Sequence, residues 1–132
     1  MNNIDKLGWI CIKDRKVLSA RSKTADLFFV PGGKREPRES DEQALCREIQ
    51  EELAVDLVSS SLKYLEVFEA QAHGKPEGVM VRITCYTGDY VGEVKPTSEI
   101  AEIAWFNSSD KSKISLITVI IFDWLQERGV ID

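Results

Sequence analysis

The stretch PGGKREPRESDEQALCREIQEELAV, residues 31–55, begins as a turn and ends as a helix. Pro31, Gly32 and Gly33 close any strand before them, because proline lacks a backbone donor and glycine has no side chain to pack. Ser40 stands where an N-cap belongs, and Gln43 three residues on completes a capping box. Asp41 and Glu42 suit the positive end of the helix dipole. At 100° per residue, with Leu45 as zero, Ile49 lies at about 40° and Leu53 at about 80°, an apolar stripe for a core. Glu51, Glu48 and Glu52 fall beside it at about 240°, 300° and 340°. Like charges three and four residues apart cost a helix stability, so their crowding needs a cause. A solvated glutamate face is the plain explanation; the sharper one is a divalent cation, magnesium or manganese, held by hard oxygen ligands. Gly32 and Gly33 let backbone approach a ligand closely, and Lys34 sets a positive charge beside the turn, apt for a phosphate oxygen.

Outward from this segment, the chain has 132 residues, the size of one ordinary domain, so one domain spanning 1–132 is expected. At 43% hydrophobic and 30% charged, the composition is that of a globular protein. MNNIDKLGW lacks the basic start and apolar run of a signal peptide, and no apolar stretch approaches the roughly 18 residues of a membrane helix, so a cytoplasmic address is expected. A net charge of −5 and a pI near 5.0 argue against a partner such as polymeric nucleic acid. Cys11, Cys46 and Cys85 lie far apart and suggest buried apolar residues rather than a disulfide or zinc framework. His73 is the only histidine, in the turn-like AHGKPEG, and cannot build a His-rich metal site.

LGWICIK, the polar turn KDRK and VLSAR suggest a hairpin; Leu27 to Val30 suggests a short strand. LKYLEVFEAQA, VMVRITCYTGDYVG and IAEIAWF suggest further strands. KISLITVIIFDWLQERG is rich in β-branched residues, yet Ile114, Ile117, Ile121 and Trp124 recur at helical intervals and Gly129 suits a helix stop, so a helix is expected. The fold class is α/β, a helix–sheet–helix sandwich with a mixed central sheet.

The fixed offsets Gly33, Glu39, then Arg47-Glu48-Ile49-Gln50-Glu51-Glu52-Leu53-Ala54-Val55 resemble the Nudix box, G-x5-E-x7-R-E-U-x-E-E-x-G-U with U aliphatic. Every charged position matches; Ala54 departs from the family's usual glycine without removing a ligand. The resemblance implies a Mg2+-dependent pyrophosphohydrolase, with Mn2+ able to substitute. It implies that Glu48, Glu51 and Glu52 bind the metal with the Gly32 carbonyl, and that Arg47 and Glu39 brace loop against helix. A glutamate six residues ahead of an aromatic is common in relatives; Glu99 has that offset from Trp105, with Glu102 its competitor. Glu48 is favoured as general base, with Glu99 the alternative. Arg21, Lys34 and Gly33 are candidates for the phosphates and Phe28 for base stacking or a core role.

The run FFVPGGKREPRES resembles the MutT-like branch. Neither the proline typical of many ADP-ribose hydrolases nor the tyrosine of many dinucleoside polyphosphate hydrolases stands at its offset, and Ser112 or Ser115 lies where some MutT-like enzymes carry a base-reading asparagine. The expected substrate is a small nucleotide, a nucleoside triphosphate such as 8-oxo-dGTP or another modified dNTP, cleaved to the monophosphate and pyrophosphate. The alternatives are ADP-ribose, a dinucleoside polyphosphate, or a non-catalytic nucleotide-binding module. No membrane partner is expected, and the chain is expected to be a monomer or homodimer.

Overall fold

The computed structural model describes residues 3–97 and 99–132. The chain runs β1 (Ile4–Trp9), β2 (Ile12–Lys13), β3 (Lys16–Ser22), β4 (Gly32–Gly33), α1 (Asp41–Leu53), β5 (Asp56–Leu57), β6 (Lys63–Gln71), β7 (Met80–Thr87), β8 (Tyr90–Val91), β9 (Ile100–Phe106) and α2 (Leu116–Glu127). A central sheet has the order β4-β1-β7-β6, a second sheet β2-β3-β9, and β5 pairs with β8. β1 lies parallel to β7, whereas β4 and β6 pair antiparallel with their neighbours, so the central sheet is mixed as expected.

Period-two alternation along β1 decides which helix covers which face. Leu7 and Trp9 join Ala44, Leu45, Ile49 and Leu53 of α1 in one apolar cluster. Ile4 and Ile10 turn the other way, to the cluster of Val81, Ile83 and Cys85 with Ile117, Ile121, Phe122 and Leu125 of α2. The sandwich is therefore helix on sheet on helix. Each such aliphatic side chain, withdrawn from water, stabilises the fold by about 1.5–3 kcal/mol.

The capping box at Ser40 forms: its hydroxyl accepts from the Gln43 amide at 3.2 Å, and the Gln43 side chain accepts from the Ser40 amide at 2.9 Å. At the far end Ala54 is left-handed, with φ +59°. Residues 95–97 cover the exposed carbonyls of that end: the Lys95 amide donates to Leu53 at 3.0 Å and the Thr97 amide to Glu52 at 3.1 Å.

Two expectations about strands need correction. The hairpin turns at Asp14 and Arg15, both of positive φ, inside KDRK as expected, but its first strand is β2 alone: LGWICIK divides, and residues 7–9 belong to β1 in the central sheet. Leu27 to Val30 is not a strand but two isolated bridges, Phe29 to Ala20 and Phe28 to Ile114, because consecutive residues there pair with different neighbours. The helix expected at the C-terminal end is present, with Gly129 two residues after Glu127. Among the described residues no helix is long and apolar enough to cross a membrane. The three cysteines are unpaired, with Cys11 and Cys85 buried.

Candidate functional site

Arg47 organises the loop before α1. Its Nε and Nη2 donate to the two carboxylate oxygens of Glu39 at 2.7 and 2.8 Å, a charge-assisted fork that binds residue 39 to the helix. Nη2 also reaches the Lys34 carbonyl at 3.1 Å, and Nη1 reaches Glu48 Oε1 at 2.9 Å. Arg47, first, and the Glu36 amide, second, hold Glu39 down at a pKa of about 2. One guanidinium thus shapes the loop and orients a glutamate of the helix.

The two glycines allow the approach. A Cβ on Gly33 would collide with the Glu48 carboxylate. Gly32 has φ +150°, and a Cβ there would strike the Leu7 carbonyl. The Gly32 amide donates to Glu52 Oε1 at 3.1 Å, so the contribution seen from this residue is an N–H directed at a carboxylate.

The three box glutamates differ in surroundings. Glu51 is exposed, 3.6 Å from Arg47 Nη1. Glu48 is half-buried; burial pushes its pKa up, against the pull of Arg47, and Glu51 and Glu99 add repulsion. Glu52 is more deeply buried, and burial pushes its pKa to about 8 despite the Gly32 hydrogen bond, with Glu48 and Glu99 adding repulsion and Lys6 opposing it.

These residues fit a hard divalent cation in donor chemistry and in placement, since Glu52 has no ion pair among the described residues and repels its neighbours. They do not form a finished cage: among the described residues no three carboxylate, imidazole or thiolate side chains are gathered around one point. Glu48 is turned to Arg47 and Glu52 to the Gly32 amide.

Outside the helix, Glu99 acts electrostatically on both Glu48 and Glu52, carried there by the 95–97 segment clasped to the end of α1. Glu102 faces Arg21 instead, at 2.6 Å. Arg21 is thereby occupied, donating also to the Ala25 carbonyl at 3.0 Å, and does not line the cavity beside Glu52. Phe28 stacks edge-on against Phe106, with centroids 4.9 Å apart, and does not line it either. Phe29 does. Lys34 is exposed on the loop.

The cavity itself holds about 370 Å³, within the usual range for small-molecule sites. Glu52, Gly32 and Lys6 stand in its wall, with an apolar lining from Leu27, Phe29, Val30, Val81, Ile83 and Ile117. Lys6 was missed by the sequence reading, which began the first strand at Leu7. Its signal lay in the alternation Ile4, Lys6, Gly8, Ile10, which places one cation on a face otherwise without polar side chains.

The geometry agrees with comparisons to known proteins. A family model described as the NUDIX domain matches residues 7–117. An 8-oxo-dGTP diphosphatase of Proteus vulgaris is 36% identical over 74 residues, which are 53% of this chain and 62% of that protein. The chain therefore matches rather under two thirds of that relative's length. The crystal structure of a MutT NUDIX hydrolase from Burkholderia pseudomallei superposes with a TM-score of 0.77 at 24% identity, over 93% of this chain and 98% of the other. The solution structure of the E. coli ORF135 protein gives 0.74 at 23% identity, over 98% and 93%. At these identities the structural likeness speaks for the fold alone.

Proposed function

Because this chain belongs to the Nudix family, we propose that it is a pyrophosphohydrolase that cleaves a nucleoside triphosphate, an oxidised one such as 8-oxo-dGTP foremost, to the nucleoside monophosphate and pyrophosphate. The observation that carries this reading is the Glu52 carboxylate, more deeply buried than Glu48 and without an ion pair among the described residues, at the edge of an apolar cavity of about 370 Å³. A flat aromatic base suits the apolar walls, and the triphosphate then extends to the glutamates. The name of the Proteus vulgaris relative supports the choice of substrate.

Glu48, Glu51 and Glu52 would hold Mg2+, or Mn2+ in its place, with Gly32 and Glu99 beside them. When bound, the ion neutralises charge on the phosphate oxygens and acidifies water. Glu48 accepts the proton of the attacking water, its Oε1 fixed by Arg47 Nη1 at 2.9 Å. Arg47 and Glu39 keep loop and helix in register for that contact. Gly33 admits the Glu48 carboxylate to the turn. Lys34, on the loop rim, steadies the outer phosphates.

The test is product analysis on canonical and oxidised dNTPs, ADP-ribose and diadenosine polyphosphates, with and without Mg2+. Monophosphate and pyrophosphate from a dNTP, only with the cation, is the expected result. Preference for ADP-ribose or a dinucleoside polyphosphate would move the substrate class, and no turnover on any compound would make the chain a binding module.

A further inference from the structure

Five polar side chains besides Glu52 and Lys75 stand in the cavity wall, and four of them are already engaged. Gln71 donates to the Pro76 carbonyl at 2.8 Å and accepts from the Gly78 amide at 2.9 Å. His73 meets Asp26 at 2.7 Å, Ser115 meets Thr118 at 2.8 Å, and Ser22 meets Thr24 at 3.4 Å. The fifth, Lys6, is half-buried, and only desolvation and unbonded charges act on its ammonium, with no hydrogen bond among the described residues. Lys75, by contrast, is exposed.

The position of Lys6 is defined by the sheet. It pairs with Ile83 across the parallel β1–β7 ladder, and its neighbours Leu7 and Gly8 pair with Gly33 and Gly32. The charges that act on it are Lys34, Glu52, Glu48 and Lys75. Lys6 thus shares the cavity wall with Glu52 and Gly32 and with the apolar lining of Val30, Val81 and Ile83. A half-buried cation with no hydrogen bond or ion pair among the described residues costs the fold stability, and its place in a cavity wall makes it a candidate for ligand binding.

In a nucleoside triphosphate, the phosphate between base-plus-sugar and the scissile bond is the α-phosphate. The geometry points to Lys6 as the residue that binds that α-phosphate, and so as a contact retained by the nucleoside monophosphate product and absent from pyrophosphate. This rests on the proposed nucleotide pyrophosphohydrolase reading.

The experiment compares wild type, Lys6→Met, Lys6→Gln and Lys6→Arg, each as the full chain with Mg2+. Inhibition of 8-oxo-dGTP turnover by dGMP and by pyrophosphate is measured, with dGMP binding followed independently by calorimetry. The expected result is at least a tenfold rise in the dGMP inhibition constant for Lys6→Met and Lys6→Gln, pyrophosphate within twofold of wild type, and substantial rescue by Lys6→Arg. Thermal midpoints of the two neutral variants should equal or exceed that of wild type, which a merely structural lysine would not produce. An unchanged dGMP constant, or equal weakening of dGMP and pyrophosphate, would overturn the assignment. Should wild type hydrolyse no nucleotide, the parent reading fails, while dGMP calorimetry on the same four proteins still decides for or against Lys6.

Discussion

At the scale of the residue, burial sets the chemistry. Glu52 takes a pKa near 8 mainly because the protein withdraws it from water, with the Gly32 amide offsetting only part of that cost. A carboxyl whose folded pKa lies above its unfolded value favours folding fully while both forms are protonated, and that contribution disappears as pH rises. For Glu52 the window runs from about 4.5 to about 8. Metal-free protein should therefore lose thermal midpoint across that range, and Glu52→Gln should flatten the slope in a pH series of melting curves. The same variant should cut turnover by about 10²-fold or more, because it removes a ligand charge; near-wild-type rates would remove Glu52 from the proposed role. Arg47 makes the complementary case. Lysine keeps its charge but not the fork, so Arg47→Lys should cost about 1–2 kcal/mol in denaturant unfolding and lower turnover through a misplaced Glu48.

At the scale of the element, α1 was legible in sequence because cap, stripe and charged arc all agree there. Ser40, Gln43, Leu45, Ile49 and Leu53 each behave as their local pattern requires. Local pattern failed where partners come from far along the chain. The hairpin turn at Asp14–Arg15 stands where KDRK puts it, but LGWICIK is divided between two sheets, because nothing in it says that β1 prefers β7, some seventy residues on, to its immediate successor. Arg21 gives the same lesson: a strand-end cation beside a phosphate-like loop suggests a ligand, yet Glu102 on β9 claims it, through a register invisible to local spacing. Lys6 was missed for want of one residue at the start of a strand. One departure from the expected box now has a physical meaning. Ala54 holds φ +59°, a left-handed conformation in which a Cβ is unfavourable and glycine is not. Ala54→Gly should raise stability by about 0.5–1 kcal/mol after allowing for the added freedom of the unfolded chain, read as a rise of a few degrees in melting temperature with turnover unchanged.

At the scale of the molecule, the two helices occupy separate apolar clusters, and residues remote in sequence hold the periphery. The last residues close on the β2–β3 turn: Arg15 donates to the Gly129 carbonyl at 2.8 Å and to Asp132 Oδ1 at 2.7 Å, while Ile131 is 1% exposed. Removing that anchor should be felt far from the glutamates. Ile131→Ala should cost about 2–4 kcal/mol in chemical denaturation and leave the affinity for substrate near that of wild type. The thiols are also a matter of the whole molecule, because each is defined by what packs over it. Burial raises the pKa of all three, Cys11 to about 11 and Cys85 to about 12, so at neutral pH these two buried thiols do not offer the thiolate that peroxide or an alkylating agent attacks, whereas Cys46 is only half-buried. The two buried thiols of a protein proposed to clear oxidised nucleotides would then survive the oxidant that produces them, and Cys46 would be the thiol an alkylating agent labels first.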